Sequence, residues 1–257
     1  MIVSLCSVRG SPGVTSWSLL LAAAWPSEYG AERVVLEADA DGGVLGARYG
    51  FGVDPGVVSL IAAFRHAEPT AIPVADHGRR VATGVWVVPG PETGEQAHRV
   101  WHGSAEGVAN RLVSDDRVWV VDVGRATRSS PIAPLVERSS LVVLLTRSAT
   151  EDLVQVPARV SSLGIHGTRV GVLVVGRPQH PLDELAAFFG SGQVWQTNQD
   201  DTVMTIAGDA IAGGRARRSW AWRSAVTIAA DVAAMASAAS SRADVETLDR
   251  RVVGGGE

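Results

Sequence analysis

The sequence contains no lysine, and all 23 of its basic residues are arginines. Any site that ordinarily depends on a lysine must therefore lack that charge or obtain it from arginine. Cysteine is nearly absent as well, because Cys6 is the single one. One cysteine excludes an intrachain disulfide, which suits a reducing compartment. The net charge of −4 argues against a protein that coats nucleic acid with its whole surface.

The chain also lacks a recognisable leader and a long uncharged run. Its N-terminus has no charged leader, and Arg9 interrupts the first apolar stretch, so no signal peptide is expected. The Ala-rich run that begins at Ser224 approaches a membrane span in length, but Asp231 interrupts it. We therefore expect a cytoplasmic protein. At 257 residues, 46% of them apolar, the chain can bury the core of one α/β domain.

A glycine-rich turn near the N-terminus carries the first functional signal. An apolar run leads into small residues and then into a helix-forming run, which is the order of a P-loop. In such a loop, backbone N–H groups and the helix dipole bind phosphate. The motif reads G-x-x-x-x-G-K-[ST]; Gly13 and Thr15 match it, whereas Val14 stands at the lysine and Val8 at the first glycine. The sequence predicts a phosphate loop without its main charge.

Apolar runs alternate with helix-forming runs along the rest of the chain. Strands are predicted at 2–8, 33–37, 85–88, 118–122, 141–145, 169–175 and 194–197, and helices at 15–24, 57–64, 95–112, 150–163 and 215–239. This alternation predicts a three-layer α/β fold, a mostly parallel twisted sheet with helices on both faces. The domain is predicted to span 1–239, followed by a flexible tail over 240–257. Five side chains are expected in central strands: Cys6, Val35, Val120, Val143 and Val172.

Acidic residues follow two of the predicted strands. Asp39 and Asp41 come after the strand at 33–37, and Asp122 ends the strand at 118–122 in the manner of a Walker B strand, whose Asp holds Mg²⁺. The carboxyl ends of parallel strands meet at one sheet edge, so we expect Gly13, Asp39 and Asp122 to converge. Taken alone, the turn around Asp39 is more typical of a solvated loop.

Together these segments resemble the MinD/ParA family of deviant-Walker P-loop ATPases, which position division, chromosome, plasmid and pilus machinery in bacteria. The family's loop reads K-G-G-x-G-K-[ST]-[ST], and residues 9–16 lie over it. The resemblance implies these nucleotide-binding residues: Arg9, Gly10, Ser11, Pro12, Gly13, Val14, Thr15 and Ser16. Arg9 takes the place of the signature lysine, which reaches the partner subunit's nucleotide. Asp39 aligns with the family's acidic residue that orients the attacking water.

The resemblance implies ATP and Mg²⁺ as ligands, with Thr15 and Asp122 holding the metal. The departures from the family pattern weaken that expectation, because Val14 replaces the P-loop lysine and Glu37 the first acid of the family's D-x-D motif. Losing the lysine removes a charge-assisted contact to the terminal phosphates, on which phosphoryl transfer depends. We therefore expect nucleotide binding to be weak or absent and hydrolysis to fail.

Two functions follow from the resemblance. The first is a pseudo-ATPase that acts as a positioning or scaffold protein for division, partitioning or pilus and secretion machinery. In this it resembles the CpaE/TadZ group, whose P-loops are also degenerate. The second is an active ATPase in which Arg9 or Arg125 replaces the lysine and which binds DNA or membrane when ATP-bound. The family's ATP-sandwich arrangement implies a homodimer, with Arg9 at its interface, and protein partners from the machinery.

A basic stretch with two tryptophans follows residue 213. Its charges form one candidate anion patch: Arg215, Arg217, Arg218 and Arg223. Arginine and tryptophan together suit DNA or a membrane surface, which would make the protein peripheral to nucleoid or membrane. The alternative, which the pattern favours, is the start of a core helix with Trp222 facing inward.

Overall fold

The computed structural model describes residues 1–10, 12–29, 32–52, 54–66, 73–81, 83–165, 167–199 and 218–254. Within them, eight strands form one sheet in the order β3-β4-β2-β5-β1-β6-β7-β8. The strands are β1 (Ile2–Ser7), β2 (Arg33–Glu37), β3 (Arg79–Arg80), β4 (Trp86–Val88), β5 (Val118–Asp122), β6 (Leu141–Arg147), β7 (Gly167–Val175) and β8 (Ser191–Thr197).

Neighbouring strands are parallel throughout this sheet except for the edge pair β3 and β4. The central strands are dense in Val and Leu because both faces of a parallel sheet are covered. The five side chains expected in central strands lie there and are fully buried: Cys6, Val35, Val120, Val143 and Val172. The predicted fold class is confirmed.

The helices lie in two layers. They are α1 (Val14–Ala24), α2 (Leu45–Tyr49), α3 (Val57–His66), α4 (Val74–His77), α5 (Gly94–Trp101), α6 (Ala105–Val113), α7 (Ala133–Glu137), α8 (Thr150–Leu153), α9 (Val156–Leu163), α10 (Leu182–Phe189) and α11 (Trp220–Gly254). On one face, α1 and α11 pack with Val35 and Val143 in one core cluster. On the other face, α3, α5, α6, α7, α9 and α10 pack with Val121 and Val142 in a second cluster.

The last helix is long and apolar enough, over Trp220–Ser241, to cross a membrane by length and composition. In this fold, one side of it is a stripe of small and aliphatic residues that packs into the core. The stripe consists of Ala221, Ala225, Ile228, Ala229, Val232, Ala233 and Ala236, each at most 3% exposed. Asp231 is exposed and accepts a hydrogen bond from the Trp195 indole of β8 at 3.0 Å. Core packing therefore accounts for the apolar side of α11.

The structure corrects several predicted boundaries. The helix predicted at 95–112 is interrupted at Gly103, whose φ of +71° is left-handed and ends α5 before α6 begins. The helix predicted at 150–163 is likewise two helices. Pro157 lies in the first turn of α9, where its missing N–H costs no hydrogen bond. Neither α10 nor the two-residue edge strand β3 is predicted from the sequence.

The C-terminal boundary also differs. The helix predicted to end at residue 239 continues as α11 to Gly254. Its predicted beginning at 215 lies outside the described residues. The domain limits of 1–239 and the flexible tail at 240–257 stay predictions.

Candidate functional site

The turn between β1 and α1 has the backbone of a phosphate loop. Gly10 and Gly13 have φ values of +65° and +96°, which residues with a Cβ rarely adopt. Gly13 caps α1, and the first turn of that helix contains no acidic residue. The N–H groups of this first turn and the positive end of the helix dipole therefore attract an anion. Ser11 lies outside the described residues.

Val14 occupies the lysine position of this loop. Its side chain is only 7% exposed and belongs to the same core cluster as Leu5 and Trp17. The side chain of residue 14 therefore offers the loop no hydrogen-bonding or charged group.

A cavity of about 450 Å³ lies in front of the α1 N-terminus. Four segments line it: the phosphate loop with Gly10 and residues 13–16, the turn after β2 with Asp39 and Asp41, α2 with Arg48, and the turn after β5 with Gly124 and Arg125. Asp122, which ends β5, is fully buried two residues before Gly124. The structure thus brings the phosphate loop and both predicted acidic turns to one sheet edge.

Asp39 is fixed between two turns. Its Oδ1 accepts a hydrogen bond from the Asp41 N–H at 2.9 Å. The carboxyl group also packs against Gly124, where a Cβ would lie 2.1 Å from its Cγ and Oδ2. Burial is the main cause that raises the pKa of Asp39, and the Asp41 carboxylate raises it further. The Asp41 N–H and Arg125 act against these effects.

Asp122 is the most strongly perturbed acid of the site. Its Oδ1 accepts a hydrogen bond from Gly124 N–H at 3.2 Å, whereas Oδ2 has no partner among the described residues. Burial, helped by the Glu37 and Asp39 carboxylates, raises the pKa of Asp122 to about 7. The neighbouring Thr15 hydroxyl acts in the opposite direction.

An unpartnered, buried carboxylate oxygen beside a hydroxyl fits Mg²⁺, which prefers oxygen ligands. Across the part of the chain that the structure describes, no three His, Cys, Asp or Glu side chains are grouped to hold a metal. Such a group is not required, since Mg²⁺ usually takes one or two protein oxygens and completes its shell with phosphate and water. Thr15 and Asp122 therefore fit the ion that the resemblance implies.

Glu37, which departs from the family's aspartate, is a buried anchor. Its Oε1 accepts hydrogen bonds from the N–H groups of Val44 at 2.6 Å and Leu45 at 2.9 Å. Its Oε2 accepts one from Gly90 N–H at 2.9 Å. A Cβ at Gly43 would lie 2.4 Å from Oε2, so this glycine leaves room for the glutamate. The carboxylate therefore ties α2 and the turn after β4 to the end of β2.

The two arginines considered as lysine substitutes lie in different places. Arg125 lines the cavity and forms an exposed ion pair with Asp41 at 3.4 Å. Arg9 is exposed and lines a neighbouring cavity of about 310 Å³ with Gln155 and Arg159. Of these two arginines, only Arg125 therefore lies on the main cavity beside the phosphate loop.

Sequence reasoning missed two further arginines at this edge of the sheet. Arg48 of α2 lines the main cavity, and the Arg147 guanidinium lies beside Gly10. Neither was predicted to lie at the phosphate loop, since tertiary structure alone brings each of them there.

The candidate anion patch is described only in part. Arg215 and Arg217 lie outside the described residues, whereas Arg218 and Arg223 are exposed. Arg223 Nη1 donates to the Arg218 carbonyl at 3.0 Å. Trp222 is half-buried and packs against the core, as the core-helix interpretation predicts. The role of the arginines as an anion patch stays a prediction.

The eight-stranded sheet, with its glycine turn between β1 and α1, defines a three-layer α/β P-loop NTPase fold. Comparison with protein-family models and with curated proteins gave no match. Among solved structures, the chain is similar to a ParA family ATPase from Chlorobium tepidum, with a TM-score of 0.69 and 15% identity over 89% of this chain and 98% of that one.

MinD with Mg-ADP from Pyrococcus horikoshii has a TM-score of 0.65 and 14% identity, over 90% of this chain and 95% of that one. Apo McdA from Cyanothece has a TM-score of 0.61 and 13% identity, over 89% and 99%. The chain therefore has the fold of the MinD/ParA ATPases, as its sequence predicts.

Proposed function

We propose that the chain is a MinD/ParA-like pseudo-ATPase that acts as a positioning or scaffold protein for division, partitioning, or pilus and secretion machinery. The observation that carries this proposal is Val14, which packs into the core where the P-loop lysine belongs, in a chain without lysine. Catalysis of phosphoryl transfer is almost entirely charge stabilisation and positioning, so losing that charge removes turnover before it removes the fold.

The cavity retains a weak capacity for nucleotide. The N–H groups at the start of α1 would donate to phosphate oxygens, while Thr15 and the free Oδ2 of Asp122 would hold Mg²⁺. A bound magnesium ion neutralises phosphate charge. Without it, the carboxylates of Asp39 and Asp41 at the cavity wall repel a polyphosphate. ATP and magnesium are thus proposed to bind together and weakly.

Turnover and binding with purified protein test the proposal. We expect no phosphate release above background with Mg-ATP, and Val14→Lys should raise Mg-ATP affinity in calorimetry because the backbone cradle remains. Val58→Lys is the matched control, since Val58 is 48% exposed on α3 and its lysine would lie away from the cavity. Robust turnover by the unmodified protein that Asp39→Ala abolishes would overturn the pseudo-ATPase.

An active ATPase is the second candidate, and the position of Arg125 on the cavity favours it. In that case Arg125→Ala abolishes turnover, whereas Arg9→Ala leaves it intact because Arg9 lines the neighbouring cavity. The ATP-bound form would then bind DNA or membrane through the anion patch, and salt would weaken that binding steeply.

Assembly is proposed by analogy with proteins of the same fold. One similar structure is a MinC:MinD complex from Aquifex aeolicus, which supports a protein partner for this chain. We propose a cytoplasmic homodimer formed through the face around Arg9. Sedimentation with and without ATP tests it: a dimer weakened by Arg9→Glu is expected, and a monomer under both conditions would contradict it.

A further inference from the structure

We infer that Arg48 supplies the cationic phosphate contact that a P-loop lysine ordinarily makes, and that it does so from α2. The ligand class is the polyphosphate of a nucleotide, so the inference rests on the proposed nucleotide-binding function. It names a residue outside the loop, at a position that the sequence motifs do not single out.

The position of Arg48 supports this role. Its side chain is half-buried and lines the cavity in front of α1. Nη1 donates to Ser16 Oγ at 3.5 Å, the outer limit of a hydrogen bond. Ser16 lies in the first turn of α1, two residues after Val14. The guanidinium therefore reaches the helix end where a phosphate would bind.

The charge of Arg48 is also available. Among the described residues, none forms an ion pair with its guanidinium, and Ser16 is the single hydrogen-bond acceptor of that group. Arg125, by contrast, faces the Asp41 carboxylate at 3.4 Å. A guanidinium is a planar fork of several N–H donors that matches phosphate oxygens. One long bond to Ser16 leaves most of those donors for a ligand.

The helix that carries Arg48 is firmly held. Leu45 is fully buried in the core, and Glu37 accepts hydrogen bonds from the N–H groups of Val44 and Leu45. At the other end, Gly50 takes a left-handed φ of +66° and its N–H bonds to the carbonyls of α2. The backbone of Arg48 is therefore fixed relative to the phosphate loop.

Titration calorimetry with inorganic pyrophosphate and with ATP, both in buffer containing Mg²⁺, tests the inference on the full chain. Arg48→Gln is expected to weaken both roughly tenfold or more, which corresponds to about 1.4 kcal/mol. Arg48→Lys should retain part of the affinity because it keeps the charge but loses the fork. Arg99→Gln, which removes an exposed arginine on α5, is the matched control and should change neither affinity.

A rescue experiment separates a ligand contact from a structural role. If Val14→Lys restores the loop's own charge, Arg48→Gln should cost less affinity in that background than in the unmodified chain. If Arg48→Gln acted only through lost packing, it would reduce the affinity equally in the Val14→Lys chain and in the unmodified chain. The midpoint of thermal unfolding is measured for every variant. If Arg48→Gln lowers that midpoint strongly, the affinities are compared with Arg48→Lys instead.

The outcomes distinguish this inference from the proposed function. If the unmodified protein binds both probes and Arg48→Gln binds them equally well, Arg48 is not the contact, although the proposed function stands. If it binds pyrophosphate but not Mg-ATP, the nucleotide function fails, and Arg48 is still supported provided that Arg48→Gln weakens pyrophosphate. Binding of neither probe by the unmodified protein overturns both.

Discussion

Arg159 on α9 donates a hydrogen bond from Nη2 to the backbone carbonyl of Val8, over 2.8 Å. Its Nη1 donates to the carbonyl of Ala126 at 2.9 Å. Val8 leads into the phosphate loop, and Ala126 belongs to the turn after β5. The Arg159 side chain therefore joins the phosphate-loop turn to the turn after β5.

Arg159→Gln should loosen this junction. Val8 and Ala126 are 3% and 1% exposed, so each carbonyl that loses its donor costs about 1–3 kcal/mol of unfolding free energy. We expect a lower midpoint in urea unfolding and weaker pyrophosphate binding, since the phosphate loop loses its support.

Arg169→Gln is the matched control for that variant. Arg169 Nη2 also donates to two carbonyls, those of Glu137 and Ser139, at 2.7 and 2.8 Å. Arg169 lies near the N-terminal end of β7, whereas the site lies at the C-terminal ends of the strands. Both variants should lose stability, whereas only Arg159→Gln should lose pyrophosphate affinity. Equal affinities in the two variants would contradict the role of Arg159 at the site.

Gly124→Ala should displace the Asp39 carboxyl group. Gly103→Ala is its control, because both glycines have a left-handed φ but only Gly124 would place a Cβ against a neighbour, Asp39 at 2.1 Å. Both substitutions carry the backbone cost of roughly 1–2 kcal/mol. The clash should add about 1–3 kcal/mol at Gly124 alone.

A double-mutant cycle identifies the source of that additional loss. Asp39→Ala removes the clashing carboxyl group, so Gly124→Ala should destabilise the Asp39→Ala chain less than the unmodified chain. Urea unfolding of the four proteins measures the coupling. Additive losses would show that Gly124 is required for another reason.

Asp122 should make stability fall as pH rises toward neutrality. Its pKa is about 7 in the folded chain against an ordinary value of 3.8, so between these values the folded state binds more protons than the unfolded state. The free energy of unfolding therefore decreases with pH in this window and levels off above about 7, by on the order of a few kcal/mol.

Asp122→Asn isolates that contribution. Glu37 and Asp39 have pKa values raised in the same direction, so a smaller slope should persist in the variant. Urea unfolding between pH 5 and pH 8 compares the two proteins, in buffers without divalent cations. The same slope in both would show that Asp122 does not titrate in this window.

The sheet could be predicted because its strands are unusually dense in apolar residues. Runs such as those around Val120 and Val143 fit only strands buried on both faces. The phosphate loop was equally recognisable, since glycines at 10 and 13 provide the left-handed turns that it needs. Helix interruptions were harder to predict, because the Gly103 break lies within a continuous helical pattern.

The rest of the site depends on contacts between distant segments. Arg48 and Arg159 reach the loop from helices that the motif does not include, and no spacing in the sequence predicts either contact. The change from aspartate to Glu37 was visible in the sequence. The hydrogen bonds that Glu37 accepts could not be predicted, because Val44 and Gly90 approach it only in the folded chain.

The Glu37 carboxylate has a consequence for local unfolding. Its two oxygens serve α2 and the turn after β4 at once, so neither segment can open without leaving a buried acceptor short of donors. The amides of Val44, Leu45 and Gly90 should therefore exchange with deuterium as one cooperative unit, with a common opening free energy. Helix α2, which carries Arg48, consequently opens together with the turn after β4 rather than by itself.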